Sequence, residues 1–228
     1  MILSDASLLA RAPLFAEVAA QDRDALATRL RPRAYGKGDV IFVHGDPGTH
    51  LCLVESGQVK LGFTSAMGRE IILDLVGPGE VFGELALLDG APRSADAVAL
   101  EPTHLLLLHR DDFVRFVEEH PHFAMQLLAT LSRRLRRDAE LLQDGAFLDV
   151  SARLARTLLR LAQAQGPTGD EGRLVTPRLT QSDLAAMVGT TRETLNKWLS
   201  FFQQEGWVDW ERSRVVVLQP QALRRRII

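Results

Sequence analysis

Short apolar segments broken by glycine and proline fill the chain from about Tyr35 to Leu108. They follow one another as GKGDVIFVHGDPG, LCLVESGQVKLGF, EIILDLVGPGEVFGEL and ADAVALEPTHLLLL. Apolar strands at near-regular spacing, each ended by a glycine turn, indicate an antiparallel β-roll, barrel or sandwich. The preceding segments Ser7–Phe15 and Ala20–Leu30 are more helical in pattern, and we expect them to cover one end of the sheet.

Length and composition are those of a soluble protein. The chain has 228 residues, which suits one or two compact domains. Its 46% hydrophobic and 25% charged residues indicate a chain that buries a core. The aliphatic run Leu105–Leu108 is far below the ~20 residues of a membrane helix, and the first residues lack a basic start before an apolar stretch. We therefore expect a cytoplasmic protein with no membrane partner.

Cysteine and histidine usage argues against a metal centre. The single cysteine, Cys52, excludes an internal disulfide and cannot alone hold zinc or an iron–sulfur cluster. The six histidines show no HxxxH spacing, so ordinary polar roles are favoured and no metal is expected. Haem ligation stays open as a minor alternative.

Charge is unevenly distributed along the chain, although the net charge is only −2. Residues 1–144 contain 15 Lys+Arg and 21 Asp+Glu, a net charge of −6. Residues 145–228 contain 12 Lys+Arg and 8 Asp+Glu, a net charge of +4. The asymmetry predicts an acidic module joined to a basic module that faces DNA.

A single long helix is predicted from Pro121 to Gly145. Apolar positions recur in it at alternating spacings of four and three, the pattern by which two helices pack side by side. This stripe consists of Ala124, Leu128, Leu131, Leu135, position 138 and Leu142. The arginines that flank it and leave a narrow seam are Arg133, Arg134, Arg136 and Arg137. We expect a homodimer through this helix; the alternative is a stripe that packs only on the chain's own β-domain.

The C-terminal part has the pattern of a helix-turn-helix followed by an apolar hairpin. Thr180 and Asp183 form a capping pair at the start of the first helix. Ala185, Gly189 and Leu195 stand where the motif needs a small residue, a turn residue with positive φ and an apolar anchor. These residues predict a winged helix-turn-helix.

The second of these helices begins near Thr190 or Thr191, whose hydroxyl can cap it. Its predicted buried face is Leu195, Trp198 or Leu199, and Phe202. Its predicted DNA-facing residues are Thr191, Arg192, Glu193, Asn196 and Lys197. Such a polar face near a helix N-terminus is what a recognition helix presents to the major groove.

The polar face has the chemistry of base readout. Arg192 can donate two bonds to guanine, Glu193 can accept from cytosine, and Lys197 can donate to a guanine acceptor. Arg212 and Arg214 near the hairpin tip would contact backbone phosphates, which position the domain without reading sequence. The alternative interpretation is a solvated helix face on which these charges pair with one another.

The sequence as a whole resembles the CRP/FNR family of bacterial transcription regulators. Three stretches carry the resemblance: FGELALLDGAPRSA at 82–95, AFLDVSARLARTLLRLA at 146–162 and VGTTRETLNKWL at 188–199. Together with the glycine-punctuated strands and the long helix, they match the family's order over nearly the whole chain.

The resemblance implies a ligand and the residues that hold it. In relatives that bind cyclic AMP, the FGEL segment and the following Arg-Ser form a phosphate-binding cassette inside the β-roll. By position, Glu84 would accept from the ribose 2′-hydroxyl and Arg93 would bind the cyclic phosphate. The full candidate cyclic AMP site is Gly83, Glu84, Leu85, Arg93, Ser94, Arg134 and Asp138.

The chemistry of Arg93 and its neighbours agrees independently with this role. An anionic phosphodiester in a partly desolvated pocket calls for a planar, always-charged guanidinium and several N–H or O–H donors. Gly83 leaves room for a ligand to approach the backbone. The alternative is a buried Glu84–Arg93 ion pair without any ligand, an arrangement that is often neutral or unfavourable compared with apolar packing.

One position departs from the family pattern. Cyclic AMP-binding relatives carry a Thr followed by a Ser or similar residue where this chain has Asp138 and Ala139. A carboxylate at 138 could accept from the adenine 6-amino group and would repel the O6 of guanine. The departure could also mean that the base is held differently or that another ligand is used.

The sequence therefore predicts an α+β chain in three parts. They are an antiparallel β-roll at 1–120, a dimerisation helix at 121–145 and a winged helix-turn-helix domain at 146–228. The expected function is a homodimeric, cyclic AMP-controlled regulator of transcription that binds palindromic double-stranded DNA with GTG-like half-sites. The exposed loop Gly166–Arg173 stands where relatives touch RNA polymerase.

Two other functions stay open at this point. One is a regulator of the same fold that needs no small ligand or senses another effector. The other is an enzyme with a nucleotide regulatory domain. No Ser-His-Asp, metal or phosphate-binding loop constellation supports an enzyme, and the region after residue 145 is too small for a catalytic domain.

Overall fold

The computed structural model describes residues 5–165, 167–168 and 173–227. The chain forms two compact units, Met1–Arg136 and Arg137–Ile228. The division between them falls inside the long helix, between the domain limits predicted at 120 and 145. Most of the loop predicted to contact RNA polymerase, 166 and 169–172, lies outside the described residues.

The first unit is built from two four-stranded antiparallel sheets, which confirms the β-roll predicted from the glycine-punctuated strands. Its strands are β1 (Arg31–Tyr35), β2 (Val40–Phe42), β3 (His50–Ser56), β4 (Val59–Thr64), β5 (Glu70–Val76), β6 (Val81–Phe82), β7 (Asp96–Ala99) and β8 (Thr103–His109). One sheet has the order β1-β8-β3-β6 and the other β2-β7-β4-β5.

The paired strands β3 and β8 are apolar on both faces. Successive side chains of a strand point to opposite sides, so an uninterrupted apolar run fills two cores at once. The positions that face the helices are Leu51, Leu53, Leu106 and Leu108. The positions between the two sheets are Cys52, Val54 and Leu105. Each fully buried leucine of this kind stabilises the fold by about 2 kcal/mol.

Helices cover one face of the roll. They are α1 (Asp5–Arg11), α2 (Ala20–Ala27), α3 (Leu85–Leu88), α4 (Arg110–Glu119) and α5 (Pro121–Phe147), with a 3₁₀ turn at Pro13–Phe15. The sequence predicted the opening helices and α5, which ends two residues beyond the predicted Gly145. It missed α3 and α4, although Asp111 and Asp112 in the first turn of α4 are a helix-start signal.

Aromatic packing fixes the start of α5 on the roll. The ring of Phe123 lies 5.0 Å from those of Phe15 and Phe116 and 6.4 Å from that of Phe113, measured between centroids. Phe123 and Leu127 are buried. This cluster places the following part of α5, including Arg134 about three turns further on, against the β-roll.

The second unit combines helices with a small sheet of the order β11-β12-β10-β9. Its helices are α6 (Val150–Gln165), α7 (Gln181–Val188), α8 (Arg192–Gln204) and α9 (Pro220–Arg226). Its strands are β9 (Pro167–Thr168), β10 (Arg173–Val175), β11 (Val208–Glu211) and β12 (Arg214–Val217). The sequence predicted α6, α7, α8 and the β11–β12 hairpin, and it missed α9.

The turn between α7 and α8 has the local structure that the sequence predicts. Thr180 and Asp183 form a capping box at the start of α7. Gly189 ends α7 in the left-handed region, at φ 69° and ψ 46°. Arg153 of α6 donates to the carbonyls of Val188 (2.9 Å) and Gly189 (3.3 Å), which holds the turn in place.

Within the described residues, no helix combines the length and the apolar character that crossing a membrane requires.

Two glycines of the second unit should respond oppositely to replacement by alanine. Gly189→Ala should lower the free energy of unfolding by about 1 kcal/mol, because a Cβ disfavours the left-handed conformation. Gly145→Ala should raise it by about 0.5 kcal/mol, because glycine within a helix costs conformational entropy. Neither added Cβ meets an atom within 4 Å, so packing does not confuse the comparison.

Urea denaturation followed by circular dichroism measures both changes. Equal effects of the two substitutions would contradict the conformational explanation.

Candidate functional site

Glu84 and Arg93, the two opposite charges of the FGELALLDGAPRSA stretch, are both buried. Their exposed fractions are 2% and 5%. They lie on the connection from β6 through α3 to β7, which passes from one sheet to the other. They do not form the ion pair with each other that the ligand-free alternative required, because each has other partners.

The partner of Glu84 is Arg134 of α5. Its Oε1 lies 2.6 Å from Arg134 Nη1, and Arg134 Nη2 donates to the carbonyl of Val81. Its other oxygen, Oε2, is buried and has no hydrogen-bond partner among the described residues. A buried carboxylate oxygen without a donor costs free energy, so Oε2 is an acceptor available to a bound hydroxyl.

Arg93 is held by backbone carbonyls and an aromatic ring. Nη1 donates to Gly83 O at 2.6 Å and Nη2 to His50 O at 2.7 Å. Its Cζ lies 4.2 Å from the centroid of the Phe42 ring, a cation–π distance. Nε is buried without a partner. The guanidinium has five N–H donors, so several are not used by the protein.

Gly83 is required for two separate reasons. Its φ is +80°, which a side chain disfavours, and a Cβ built on it would lie 2.5 Å from Arg93 Nη1. Any other residue would therefore strain the backbone and displace the guanidinium. The group that approaches this glycine in the structure is Arg93, and the approach of a ligand to the backbone stays a prediction.

Arg93 also borders a cavity of about 440 Å³ in the roll. Other walls of the cavity are Arg33, Tyr35, Phe42 and His50, while Glu84 does not line it. This volume is in the range of small-molecule pockets.

In the part of the chain that the structure describes, no carboxylate forms an ion pair with Arg93, although Glu84 and Asp46 lie near enough to act on its charge. Burial raises the pKa of the Cys52 thiol to about 12, so it is neutral at pH 7. Burial, and then the nearby His109 and Arg93, lower the pKa of His50, which keeps that ring neutral as well. Burial also lowers the pKa of Arg93, although an arginine stays protonated in proteins. A buried guanidinium that has no ion-pair partner and keeps unused N–H donors favours an anionic ligand.

The remaining ligand candidates are more exposed. Leu85 is 45% exposed, and the side chain of Ser94 is exposed. Asp138 lies on α5 one helical turn after Arg134 and is exposed too. The structure therefore brings together Gly83, Glu84, Arg93 and Arg134, and the other three predicted contacts stay predictions.

The stripe of α5 divides between two faces. Leu128, Leu135 and Leu142, spaced by seven, are 55%, 71% and 77% exposed. Leu131, predicted in the same seam, instead packs in part against the core of the roll. Leu131 is only partly buried there, so its place in the seam stays a prediction.

The predicted recognition helix α8 presents its polar side chains outward. Thr191 caps the helix by accepting from Thr194 N at 3.3 Å. The Glu193 carboxylate accepts hydrogen bonds from the backbone N–H of Glu193 and from the Thr191 side chain. These bonds lower the pKa of Glu193, so its carboxylate stays ionised. The exposed members of the face are Thr191, Arg192, Glu193 and Lys197, while Asn196 is half-buried. The buried anchors are Leu195, Leu199 and Phe202.

The hairpin tip carries Arg212 and Ser213 with positive φ values of 48° and 65°. Two such residues in succession make the tight reversal that joins two twisted antiparallel strands. Arg212 is exposed and Arg214 is half-buried.

The described residues contain no cluster of three or more His, Cys, Asp or Glu side chains that could hold a metal ion.

Known protein families match both parts of the chain. The family described as "Cyclic nucleotide-binding domain" matches residues 32–120, and the "Crp-like helix-turn-helix domain" matches residues 152–226.

Full-length relatives match most of the chain. A "CRP-like cAMP-activated global transcriptional regulator" of Mycobacterium tuberculosis is 37% identical over 96% of this chain and 98% of its own length. The "Cyclic AMP receptor protein" of Thermus thermophilus is 41% identical over 86% of this chain and 88% of its own.

The fold is also that of a solved regulator from Xanthomonas campestris, described as c-di-GMP responsive. It has a TM-score of 0.74 and 24% identity, covering 87% of this chain and 99% of that one. At this identity the likeness concerns the fold alone.

Removing the cation from the Glu84–Arg134 pair should destabilise the β-roll. Arg134→Met should lower the free energy of unfolding by about 3 kcal/mol, because it leaves a buried carboxylate unpaired. The double variant Glu84→Gln with Arg134→Met should recover most of the loss, because no unpaired buried carboxylate then remains. Chemical denaturation of both variants measures the difference, and equal stabilities would show that the ion pair does not hold the site together.

Proposed function

Since the chain belongs to the CRP/FNR family of transcription regulators, we propose that it is a homodimeric, sequence-specific DNA-binding regulator controlled by cyclic AMP. Its family, with a cyclic nucleotide-binding domain and a Crp-like helix-turn-helix domain, makes it a regulator of transcription and not an enzyme. The effector, the dimer and the residues at each interface are the proposed part.

Two buried charges with unused hydrogen-bonding capacity carry the proposal of a nucleotide effector. Arg93 offers N–H donors to an anionic phosphodiester, and Glu84 Oε2 offers an acceptor to a sugar hydroxyl. A cyclic nucleotide carries both groups. Charge-assisted hydrogen bonds of this kind are about twice as strong as neutral ones.

Cyclic AMP is the favoured effector among cyclic nucleotides. The relatives from Mycobacterium tuberculosis and Thermus thermophilus are named for cyclic AMP. In the proposed site the Asp138 carboxylate accepts from the adenine amino group, whereas it would repel guanine O6. A second candidate is a different effector. The presence of Asp138 and Ala139, where cyclic AMP-binding relatives have Thr followed by Ser or a similar residue, favours it.

A dimer through α5 accounts for its exposed leucines. Leu128, Leu135 and Leu142 lie one heptad apart on a helix whose other face already packs on the β-roll. Leucines in this pattern fill the holes of a partner helix. Effector and DNA would each favour one dimer arrangement, so each must raise the affinity for the other by the same factor.

The second unit supplies the proposed DNA interface. Arg192, Glu193, Asn196 and Lys197 would read base edges, and Thr191, Arg212 and Arg214 would position the domain. In a dimer, recognition helices ~34 Å apart match a palindromic operator. We propose GTG-like half-sites from the donors and acceptors of α8. The RNA polymerase contact stays a prediction, since the loop concerned lies mostly outside the described residues.

Calorimetry with cyclic AMP and cyclic GMP tests the effector. Cyclic AMP should bind and raise operator affinity, and cyclic GMP should bind more weakly. Arg93→Ala should weaken cyclic AMP binding by about 100-fold, because it removes charge-assisted hydrogen bonds to the phosphate. Arg69→Ala, which truncates an exposed arginine of the β4–β5 turn, is the matched control.

Absence of heat from cyclic AMP at millimolar concentration would exclude it as the effector. Operator binding that is complete without nucleotide would favour the ligand-independent alternative.

Introducing a charge into the leucine stripe should separate the dimer. Leu135→Glu places two carboxylates opposite each other in an apolar seam, and we expect a folded monomer in sedimentation velocity. Gln126→Glu adds the same charge to the same helix on the face opposite Leu135 and should leave the dimer intact. A dimer that survives Leu135→Glu would mean that another surface forms the interface.

A further inference from the structure

The first residues of α7 and α8 touch each other. Gln181 Oε1 accepts a hydrogen bond from Arg192 Nε at 3.3 Å. Gln181 is half-buried and Arg192 is exposed. No ion pair of Arg192 occurs among the residues that the structure describes, so its guanidinium is oriented by this amide.

The contact uses the one donor that base readout does not need. A guanidinium is a rigid plane, and a bidentate contact with guanine O6 and N7 can be made by its two terminal amino groups. An acceptor at Nε leaves both of those groups free. It also fixes the plane in which they lie.

Gln181 is well placed to act as a fixed support. It follows the capping box formed by Thr180 and Asp183, and the rest of α7 is buried from Asp183 to Val188. Arg153 anchors the turn that joins α7 to α8. Side chains mounted on such rigid elements hold a binding group more closely than flexible loops do.

Holding Arg192 in advance should improve discrimination between bases. A free arginine side chain carries about 2 kcal/mol of rotamer entropy, part of which is lost when it docks. An arginine already oriented loses less on meeting guanine, whereas a wrong base gains nothing from the orientation. The benefit therefore appears as specificity at one base pair.

We propose that Gln181 is a positioning residue for base readout: it orients Arg192 so that both terminal amino groups face guanine. The proposal rests on the proposed role of Arg192 at the DNA interface. It adds a specificity determinant that lies outside the recognition helix.

The test measures base discrimination on operators selected from a random pool by the unaltered protein with cyclic AMP present. Gln181→Leu removes the amide at nearly constant size and should reduce discrimination at one base pair per half-site by about 10-fold. Affinity for non-specific DNA and its salt dependence should not change. Gln181→Glu keeps an acceptor oxygen and should retain the discrimination.

A double-mutant cycle separates positioning from other roles. With Arg192→Ala present, Gln181→Leu should have no further effect on that base pair. Gln203→Leu, which removes an exposed glutamine at the far end of α8, is the matched control. Thermal unfolding by circular dichroism confirms that each variant is folded.

Two results would overturn the proposal, and they differ. One is that Gln181→Leu weakens binding to all DNA sequences equally, or has the same effect on binding with and without Arg192. That result would mean that Gln181 contacts the DNA backbone instead. If Arg192→Ala leaves base preference unchanged, the proposed role of Arg192 itself is wrong and the positioning role falls with it.

Discussion

The ion pair between Glu84 and Arg134 is the constraint on which the first unit depends. A carboxylate that is 2% exposed is costly to bury unless a cation and hydrogen-bond donors lie beside it. Its cation comes from α5, 50 residues further along the chain. The connection after β6 and the long helix must therefore be placed together, and the aromatic cluster around Phe123 does this by fixing the helix start against the roll.

The helix α5 has several roles because its faces differ. Phe123 and Leu127 pack on the roll, Arg134 meets Glu84, and the leucines at 128, 135 and 142 remain exposed. A helix with one apolar face would serve only one of these roles. The proposed dimer stripe and the proposed effector site thus lie on adjacent faces of one helix, which would couple them.

Local patterns account for most of what could be predicted from the sequence. Glycine-ended apolar runs predict the roll, heptad spacing predicts α5, and the capping box with Gly189 predicts the turn of the helix-turn-helix, because each signal lies within a few residues. The partners of Glu84 and Arg93 could not be found in this way. Arg134 is distant in sequence, and Arg93 binds the carbonyls of Gly83 and His50, which every residue type possesses.

The unused oxygen of Glu84 determines how an effector would act on α5. If a ligand hydroxyl donates to Oε2, the carboxylate gains a partner while Oε1 keeps its bond to Arg134. The cost of burying the charge then falls, while the bond between the cassette and α5 is kept. If a ligand instead took Arg134 for its phosphate, Glu84 would be left as an unpaired buried charge, at a cost of several kcal/mol. The geometry thus favours an effector whose phosphate binds Arg93 and whose hydroxyl donates to Glu84 Oε2, because such a ligand leaves the attachment of the long helix to the roll in place.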